Sequence, residues 1–308
     1  MMEYKITGHT RVYALIGTPV GHSLSPEMHN YSFRRREIDS VYTAFDVPAD
    51  RTGAAAEAIR TLGLAGCNVT MPHKTEIVQY MDVLSPAAEL IGAVNTIVNE
   101  RGILTGHNTD GEGFVLNLAD HGVPVKGKRI AVAGAGGAAT AISVQCALSG
   151  AAELVILQRR GKSYARALDT AEKIRAQLTK TTASFTESGG KETKCSCDVS
   201  VMDLEDTAAA TSCVRTMDIL INATNLGMKP LDDQSIIRDV SAFHPDLVVA
   251  DAVYNPVETK LLREAAAAGC RTVDGRGMLL WQGAAAFRLF TGQEMPADEV
   301  KQLFFERN

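Results

Sequence analysis

Residues 128–150 read KRIAVAGAGGAATAISVQCALSG. RIAVA (129–133) has the pattern of a buried strand, and an apolar helical stretch follows the glycines. Between them, GAGGAA (134–139) fits G-x-G-x-x-A. In such a turn Gly134 permits the sharp reversal, Gly136 lets a pyrophosphate approach the backbone, and small Ala139 lets helix pack on strand. The helix N-terminus, with Ala135, Gly137 and Ala138 around it, offers free N–H groups and a positive dipole end to phosphate. A glycine turn alone is a weak signal, since a ligand-free turn looks the same. Its context carries the reading: strand before, helix after, and a second strand, ELVIL (153–157), ending about 20 residues on, where a dinucleotide fold has its ribose contact.

That second strand runs into QRRGKS (158–163). A carboxylate here would accept hydrogen bonds from a ribose 2′-OH and repel a 2′-phosphate. None occurs before Asp169, well down the next helix. Arg159, Arg160 and Lys162 stand there instead, with Gln158 and Gly161. One charge-assisted hydrogen bond contributes about 1.5–3 kcal/mol, or roughly 10–150-fold in affinity. The turn therefore favours NADP. The Gly161 backbone remains able to bond an NAD ribose, so use of both cofactors stays open, as does a merely solvated basic turn.

The chain has 308 residues, 45% hydrophobic and 22% charged, which is ordinary globular composition and long enough for two domains. A net charge of -5 argues against a nucleic-acid binder, because phosphate backbones call for a basic field. No apolar run reaches the roughly 18 residues of a membrane span, and MMEYKITGHT lacks a secretory h-region, so a cytoplasmic protein is expected. The six cysteines include one close pair, Cys195 and Cys197, with neither redox nor zinc spacing. Reduced thiols and no metal are expected.

Strand and helix patterns alternate along the rest of the chain, which implies an α/β fold with mainly parallel sheets. Strands are expected at 11–17, 41–47 and 66–70, with helices at 25–38, 52–63 and from 75. In the helix at 25–38, Ser25 is expected as N-cap and Pro26 at the first position. Residues 93–108 suggest a hairpin around Arg101-Gly102. After a helix at 109–122 comes the glycine-turn unit, then a helix at 164–178. Further strands are expected at 218–224 and 246–254 and a short one at 270–275, and the chain closes with helices at 278–292 and 296–307. The polar stretch 180–198 is expected as an exposed loop.

Polar groups gather where strands should end. They are Ser23 and Ser25 in GHSLSPEMHN, Asn68, Thr70 and Lys74 in NVTMPHK, Asn95 in AVNT, and Asp110 in GHNTDG. Ligands of α/β sheets sit at the C-terminal ends of strands. Each residue has a plain alternative as helix cap, turn residue or exposed lysine. Together, hydroxyls, amides, one cation and one anion suit a small polyhydroxylated carboxylate. An aromatic content of 6% argues against a lipid or nucleobase ligand.

Eight stretches in order, GTPVGHSLSPEMHN, NVTMPHK, GAVNTIV, GHNTDGEG, GAGGAATA, INATNLGMKP, DAVYNP and DGRGMLLWQGAAAF, make the chain resemble the shikimate dehydrogenase family, and most of all its quinate/shikimate dehydrogenase branch. The resemblance covers nearly the whole chain. It implies that Ser23 and Ser25 hold a substrate carboxylate, with Tyr254 nearby, and that Asn68, Thr70, Asn95 and Gln282 bond ring hydroxyls. Lys74 and Asp110 look like the catalytic pair. Gly134, Ala135, Gly136, Gly137, Ala138, Gln158, Arg159, Arg160, Gly161, Lys162, Asn225, Val253 and Gly275 fall where the family binds its dinucleotide. The implied domains are 1–108 plus 275–308 for substrate and 109–274, Rossmann-type, for NADP or NAD.

The implied reaction interconverts shikimate, and also quinate, with the 3-dehydro ketones. A hydride passes to or from nicotinamide, and the Lys74–Asp110 pair moves the hydroxyl proton. Coupled groups share their titration, so the proton acceptor is left unassigned within the pair. One departure bears on the cofactor: the branch often carries an acidic residue after its arginines, and here Gly161 and Lys162 follow. Two other readings stand beside this one, an inactive dinucleotide sensor and a dehydrogenase of a shikimate analogue such as aminoshikimate. The expected partner is a small molecule, and monomer and homodimer are both open.

Overall fold

The computed structural model describes residues 5–187 and 197–306, and side chains for all of these except 181–187. The chain divides into two compact units, Met1–Thr109 with Leu279–Asn308, and Asp110–Met278.

The first unit holds a six-stranded sheet. Its strands are β1 (Arg11–Gly17), β2 (Ser40–Asp46), β3 (Gly66–Val69), β4 (Val83–Leu84), β5 (Thr96–Glu100) and β6 (Ile103–His107), in the order β2-β1-β3-β5-β6-β4. The β2-β1-β3 part is parallel, and β5 runs antiparallel to both β3 and β6. The β5–β6 hairpin turns at Arg101 and Gly102, both with positive φ (57° and 91°), as a two-residue type I′ turn requires. Side chains alternate across a strand, so β1 feeds two cores. Tyr13 and Leu15 pack with Phe33, Phe287 and Phe290, whereas Ala14 and Ile16 pack with Ile59, Cys67 and Ile97. The first core is covered by α1 (Ser25–Arg35) and by the later helices α9 (Arg276–Thr291) and α10 (Ala297–Phe304).

Two local expectations change here. Ser25 is the first helical residue rather than the cap, Leu24 takes the cap position, and Ser23 Oγ accepts from the Ser25 amide at 3.2 Å. Pro26 still falls in the first turn. The stretch after Lys74 forms a short 3₁₀ turn, Glu76–Tyr80, not an α-helix. Helix α3 (Pro86–Ile91), capped by Ser85, has no counterpart among the sequence expectations.

The second unit is built on β7 (Arg129–Ala133), β8 (Glu153–Gln158), β9 (Asp198–Asp203), β10 (Ile219–Asn222), β11 (Val248–Asp251) and β12 (Arg271–Val273). All pairings are parallel and the order is β12-β11-β10-β7-β8-β9. Counted from β7 this is 3-2-1-4-5-6, the doubly wound dinucleotide-binding order, which reverses between β7 and β10. The connecting helices are α5 (Gly137–Leu148), α6 (Lys162–Glu187), α7 (Thr207–Val214) and α8 (Lys260–Ala267), and α4 (Asp110–Asp120) packs on α5.

The expected loop at 180–198 is corrected in part. Helix α6 continues to Glu187, and β9 begins at Asp198, while 188–196 lie outside the described residues. Leu178 and Ile174 on the buried face anchor the long helix before its polar end. Strand β9 and helix α7 had no expectation attached to them.

Candidate active site

The glycine turn has the geometry its sequence implies. Gly134 sits at φ 120°, a conformation side chains resist, and its N–H donates to Leu157 O at 2.9 Å. A Cβ there would stand 2.8 Å from Ala223 O. Gly136 and Gly137 are different, because a Cβ on either meets nothing within 4 Å. Protein packing does not demand glycine at those two positions, and the open space above them leaves the backbone accessible to a ligand. Gly136 caps α5 without a side-chain bond, which leaves the first amides, those of Gly137 and Ala138 among them, unclaimed by any capping side chain. The residues present thus fit a dinucleotide pyrophosphate.

A cavity of about 260 Å³ opens at this turn. Gly134, Ala135, Gly136, Gln158, Arg159 and Asn225 line it as expected. Ser163, Arg166 and the β10 loop residues Thr224 and Leu226 line it too, without having been singled out. Arg166 Nη1 donates to Ala135 O at 3.2 Å and braces the turn.

A second, strongly polar cavity of about 210 Å³ adjoins the ribose turn, lined by Gln158, Arg159, Arg160, Lys162, Ser163 and Glu205. The three cations are not equivalent. Arg160 is paired with Asp203, Nε to Oδ2 3.0 Å, and lies over the Tyr164 ring at 4.9 Å. Arg159 and Lys162 have no ion-pair partner among the described residues. Gly161 has φ 128°, so its place in the turn is set by backbone shape as well as by absence of charge. The carboxylate missing from the turn itself is supplied by Glu205, which parallel pairing of β9 with β8 brings alongside. A linear reading of 158–163 had no means of finding it.

In the same unit Gly275 is forced by contact. A Cβ there would come 2.6 Å from Val253 O, so the turn into α9 lies directly on the segment after β11. Tyr254 next to it is 49% exposed. Asp110 opens α4, where the helix dipole favours a carboxylate.

In the first unit the polar candidates form a connected web. Tyr42 OH donates to Asn68 Oδ1 at 2.8 Å, and the Ser25 side chain lies close to the same phenol. Burial pushes the Tyr42 phenol well above its usual range, so it stays protonated and able to donate. Asn68 Nδ2 donates to Thr96 Oγ1 at 2.9 Å and to Asn95 O at 3.2 Å. Thr96 Oγ1 donates to Asn95 Oδ1 at 3.0 Å, and Asn95 Nδ2 donates to Thr109 Oγ1 at 3.0 Å. Both N–H groups of Asn68 are therefore committed, and only acceptor capacity is left for a ligand. A group bound by Asn68 must donate, as a hydroxyl does.

Ser25, Asn68 and Asn95 are thus brought together, with Ser23 bonded to the Ser25 amide. Thr70 directly follows β3, with its N–H on Ile16 O at 2.9 Å, and Lys74 accepts at its carbonyl from the Val94 amide at 2.8 Å. Gln282 lies on α9 and donates to Leu279 O at 3.1 Å. Tyr42 and Thr96 were missed. Their only sequence signal is a polar residue at a strand position, which becomes informative once the register shows it buried.

A family model described as the shikimate dehydrogenase substrate binding domain matches residues 15–97, and one described as the shikimate 5′-dehydrogenase C-terminal domain matches residues 275–303. A shikimate dehydrogenase (NADP(+)) of Streptococcus uberis is 46% identical over 307 residues, covering 99% of this chain and 98% of the relative. The chain belongs to the shikimate dehydrogenase family. Another relative, named quinate/shikimate dehydrogenase, from Escherichia coli, is 41% identical over 298 residues, covering 97% of this chain and 98% of the relative. The crystal structure of the Listeria monocytogenes shikimate 5-dehydrogenase in complex with shikimate and NAD matches with a TM-score of 0.88 and 43% identity, covering 98% of both chains. Shikimate dehydrogenase family membership accounts for both a mixed-sheet unit and a dinucleotide unit in one chain. Among the described residues no helix is long and apolar enough to cross a membrane, and no group of three or more His, Cys, Asp or Glu could hold a metal.

Proposed function

We propose that the chain is a shikimate dehydrogenase that prefers NADP, uses NAD less well, and accepts quinate as a second substrate. The observation that carries the reading is the acceptor-only state of Asn68 within the Tyr42–Asn68–Thr96–Asn95 web, in a chain that also holds a dinucleotide cradle. Relatives named for NADP and a solved relative bound to NAD support use of both cofactors. Relatives named for shikimate alone and for quinate/shikimate support both substrates.

In this reading Ser23 and Ser25 hold the carboxylate, and Asn68, Thr70, Asn95 and Gln282 orient the ring hydroxyls. Tyr254 closes on the same ligand. Gly134 to Ala138 hold the pyrophosphate, and Asn225, Val253 and Gly275 shape the nicotinamide end. Arg159 and Lys162 meet the 2′-phosphate. The bound nicotinamide supplies or takes the hydride. The pair Lys74 and Asp110 moves the hydroxyl proton, and Lys74 polarises the ketone in the reverse direction. The protein acts in the cytoplasm as a monomer or homodimer, with 1–108 plus 275–308 as substrate domain and 109–274 as dinucleotide domain.

The test is a two-by-two assay of shikimate or quinate with NAD or NADP, reading kcat/KM, beside Lys74→Ala. Activity on shikimate that is highest with NADP and falls at least a hundredfold in Lys74→Ala supports the reading. No turnover in all four combinations, or near-normal turnover in Lys74→Ala, overturns it.

A further inference from the structure

Asp251 ends β11 and is fully buried, with 0% exposure. Oδ1 accepts from Asn222 Nδ2 at 2.9 Å and from the Val253 amide at 2.9 Å, and Oδ2 accepts from Thr259 Oγ1 at 2.7 Å. All three donors are neutral. The position is costly for a carboxylate, and burial pushes its pKa up to about 6. A group kept at such cost invites a reason beyond packing.

The hydrogen bonds supply one. Asn222 lies at the end of β10, beside β11 in the sheet. An ionised carboxylate is acceptor-only, so Asp251 fixes the Asn222 amide with its NH₂ inward. Asn222 Oδ1 then faces the following loop, where it accepts from Thr224 N at 3.0 Å and Thr224 Oγ1 at 2.8 Å. Asn222 Nδ2 also donates to Leu226 O at 3.0 Å, and Thr224 Oγ1 accepts from Leu226 N at 3.1 Å. The first turn of that loop, from Thr224 to Leu226, is thus held by one amide, whose orientation Asp251 decides. Thr224, Asn225 and Leu226 line the 260 Å³ cavity at the glycine turn. The other branch leads to Val253, against which Gly275 is pressed. Thr259 completes the tie: its side chain would lie 3.0 Å from a Cβ on Gly227, so the far end of the β10 loop rests on it.

We infer that Asp251 is a positioning residue for dinucleotide binding, one carboxylate that locks the loop after β10 and the loop after β11 into a single arrangement. The inference rests on the dinucleotide reading of this unit. It assigns Asp251 mainly to the cofactor, through both loops, so its loss weakens dinucleotide binding far more than substrate binding.

Asp251→Ala, Asp251→Asn and Thr259→Val are compared with the unaltered full chain. NADPH binding is followed by fluorescence without substrate, KM for shikimate at saturating NADP, and amide exchange in the ligand-free protein. Asp251→Ala is expected to weaken NADPH binding at least tenfold, with the KM for shikimate within about twofold. The amides of Thr224, Leu226 and Val253 exchange faster together. Asparagine keeps an oxygen toward Asn222 and Val253, and the Thr259 hydroxyl can turn to accept, so Asp251→Asn restores binding to within about threefold. Should the alanine variant not fold, Thr259→Val removes one donor only, and joint acceleration at Thr224 and Val253 is the expected result. Unchanged NADPH binding in Asp251→Ala, equal loss of both affinities, or acceleration confined to one of the loops overturns the inference. Failure of the unaltered chain to bind NADPH or NADH overturns the dinucleotide reading itself, while the exchange data still report on the tie.

Discussion

Arg160 is held by Asp203, with Nε 3.0 Å from Oδ2 and the guanidinium stacked over Tyr164. The pair joins the start of the ribose turn to the end of β9. It engages the Arg160 Nε, so Arg160 is expected to brace the turn while Arg159 contributes more to phosphate recognition. Arg159→Ala is expected to lower kcat/KM with NADP by roughly 10–150-fold, the worth of a lost charge-assisted bond, and to leave NAD nearly unchanged. Arg160→Ala is expected to lower both within about threefold, in keeping with the modest worth of exposed ion pairs. A larger and NADP-selective loss in Arg160→Ala would reverse these roles.

Glu205 shares the polar cavity with Arg159, Lys162 and Ser163. A carboxylate repels a 2′-phosphate and accepts from a 2′-OH, so it works against the neighbouring cations. Glu205→Gln is expected to raise the NADP-to-NAD ratio of kcat/KM several-fold, most at low ionic strength, where screening is weakest. An unchanged ratio at low salt would show that Glu205 faces away from the bound cofactor.

Gly111 on α4 is in close contact with α5. An added Cβ would stand 2.2 Å from the carbonyl oxygen of Ala141, a backbone atom that cannot rotate away. Gly111→Ala gains helix propensity but must separate the helices, and overpacking of this kind costs about 1–3 kcal/mol. A fall in Tm of several degrees in calorimetry is the expected result, and an unchanged or higher Tm would contradict the contact.

His29 is fully enclosed and stacked on Tyr42, ring centroids 4.4 Å apart and planes 4° from parallel. Burial lowers its pKa from 6.5 to about 3. Below pH 6.5 the unfolded chain binds a proton that the native state refuses. The stability linked to His29 is thus complete above pH 6.5 and drains away as pH falls toward 3. Between pH 7 and 5 the loss amounts to about 2 kcal/mol. His29→Phe keeps an aromatic ring in the stack, and its urea-unfolding free energy should fall less over this range than that of the unaltered chain. An identical pH slope would exclude His29 as the source.

Much of the fold was legible locally because the signals are local. The 134–139 turn needs a positive φ at Gly134 and open space at Gly136, and both follow from residue type and neighbouring pattern. The hairpin at Arg101-Gly102 and the strands β1, β7 and β8 follow for the same reason. Strand β9 and helix α7 escaped because both are short and β9 is an edge strand with one neighbour. Helix α6 outran its apolar pattern, since Ile174 and Leu178 anchor one face and the polar end then continues the hydrogen-bond ladder.

The site divides along the same line. Sequence alone determined which residue types are available: two serines, two amides, a lysine and an aspartate near strand ends, a glycine turn, and a basic ribose turn. It also determined the family, because eight motifs keep their order. Tertiary structure alone decided how those groups are used. Register placed Tyr42 and Thr96 around Asn68 and thereby spent its donors. Sheet order set β9 beside β8 and so introduced Asp203 and Glu205 to a turn that carries no carboxylate of its own. Pairing of β10 with β11 put Asp251 against Asn222, 29 residues apart in the chain. Hydrogen bonds and charges act through distances of a few ångströms, and in a parallel sheet those distances are set by which strands are neighbours, not by separation along the chain.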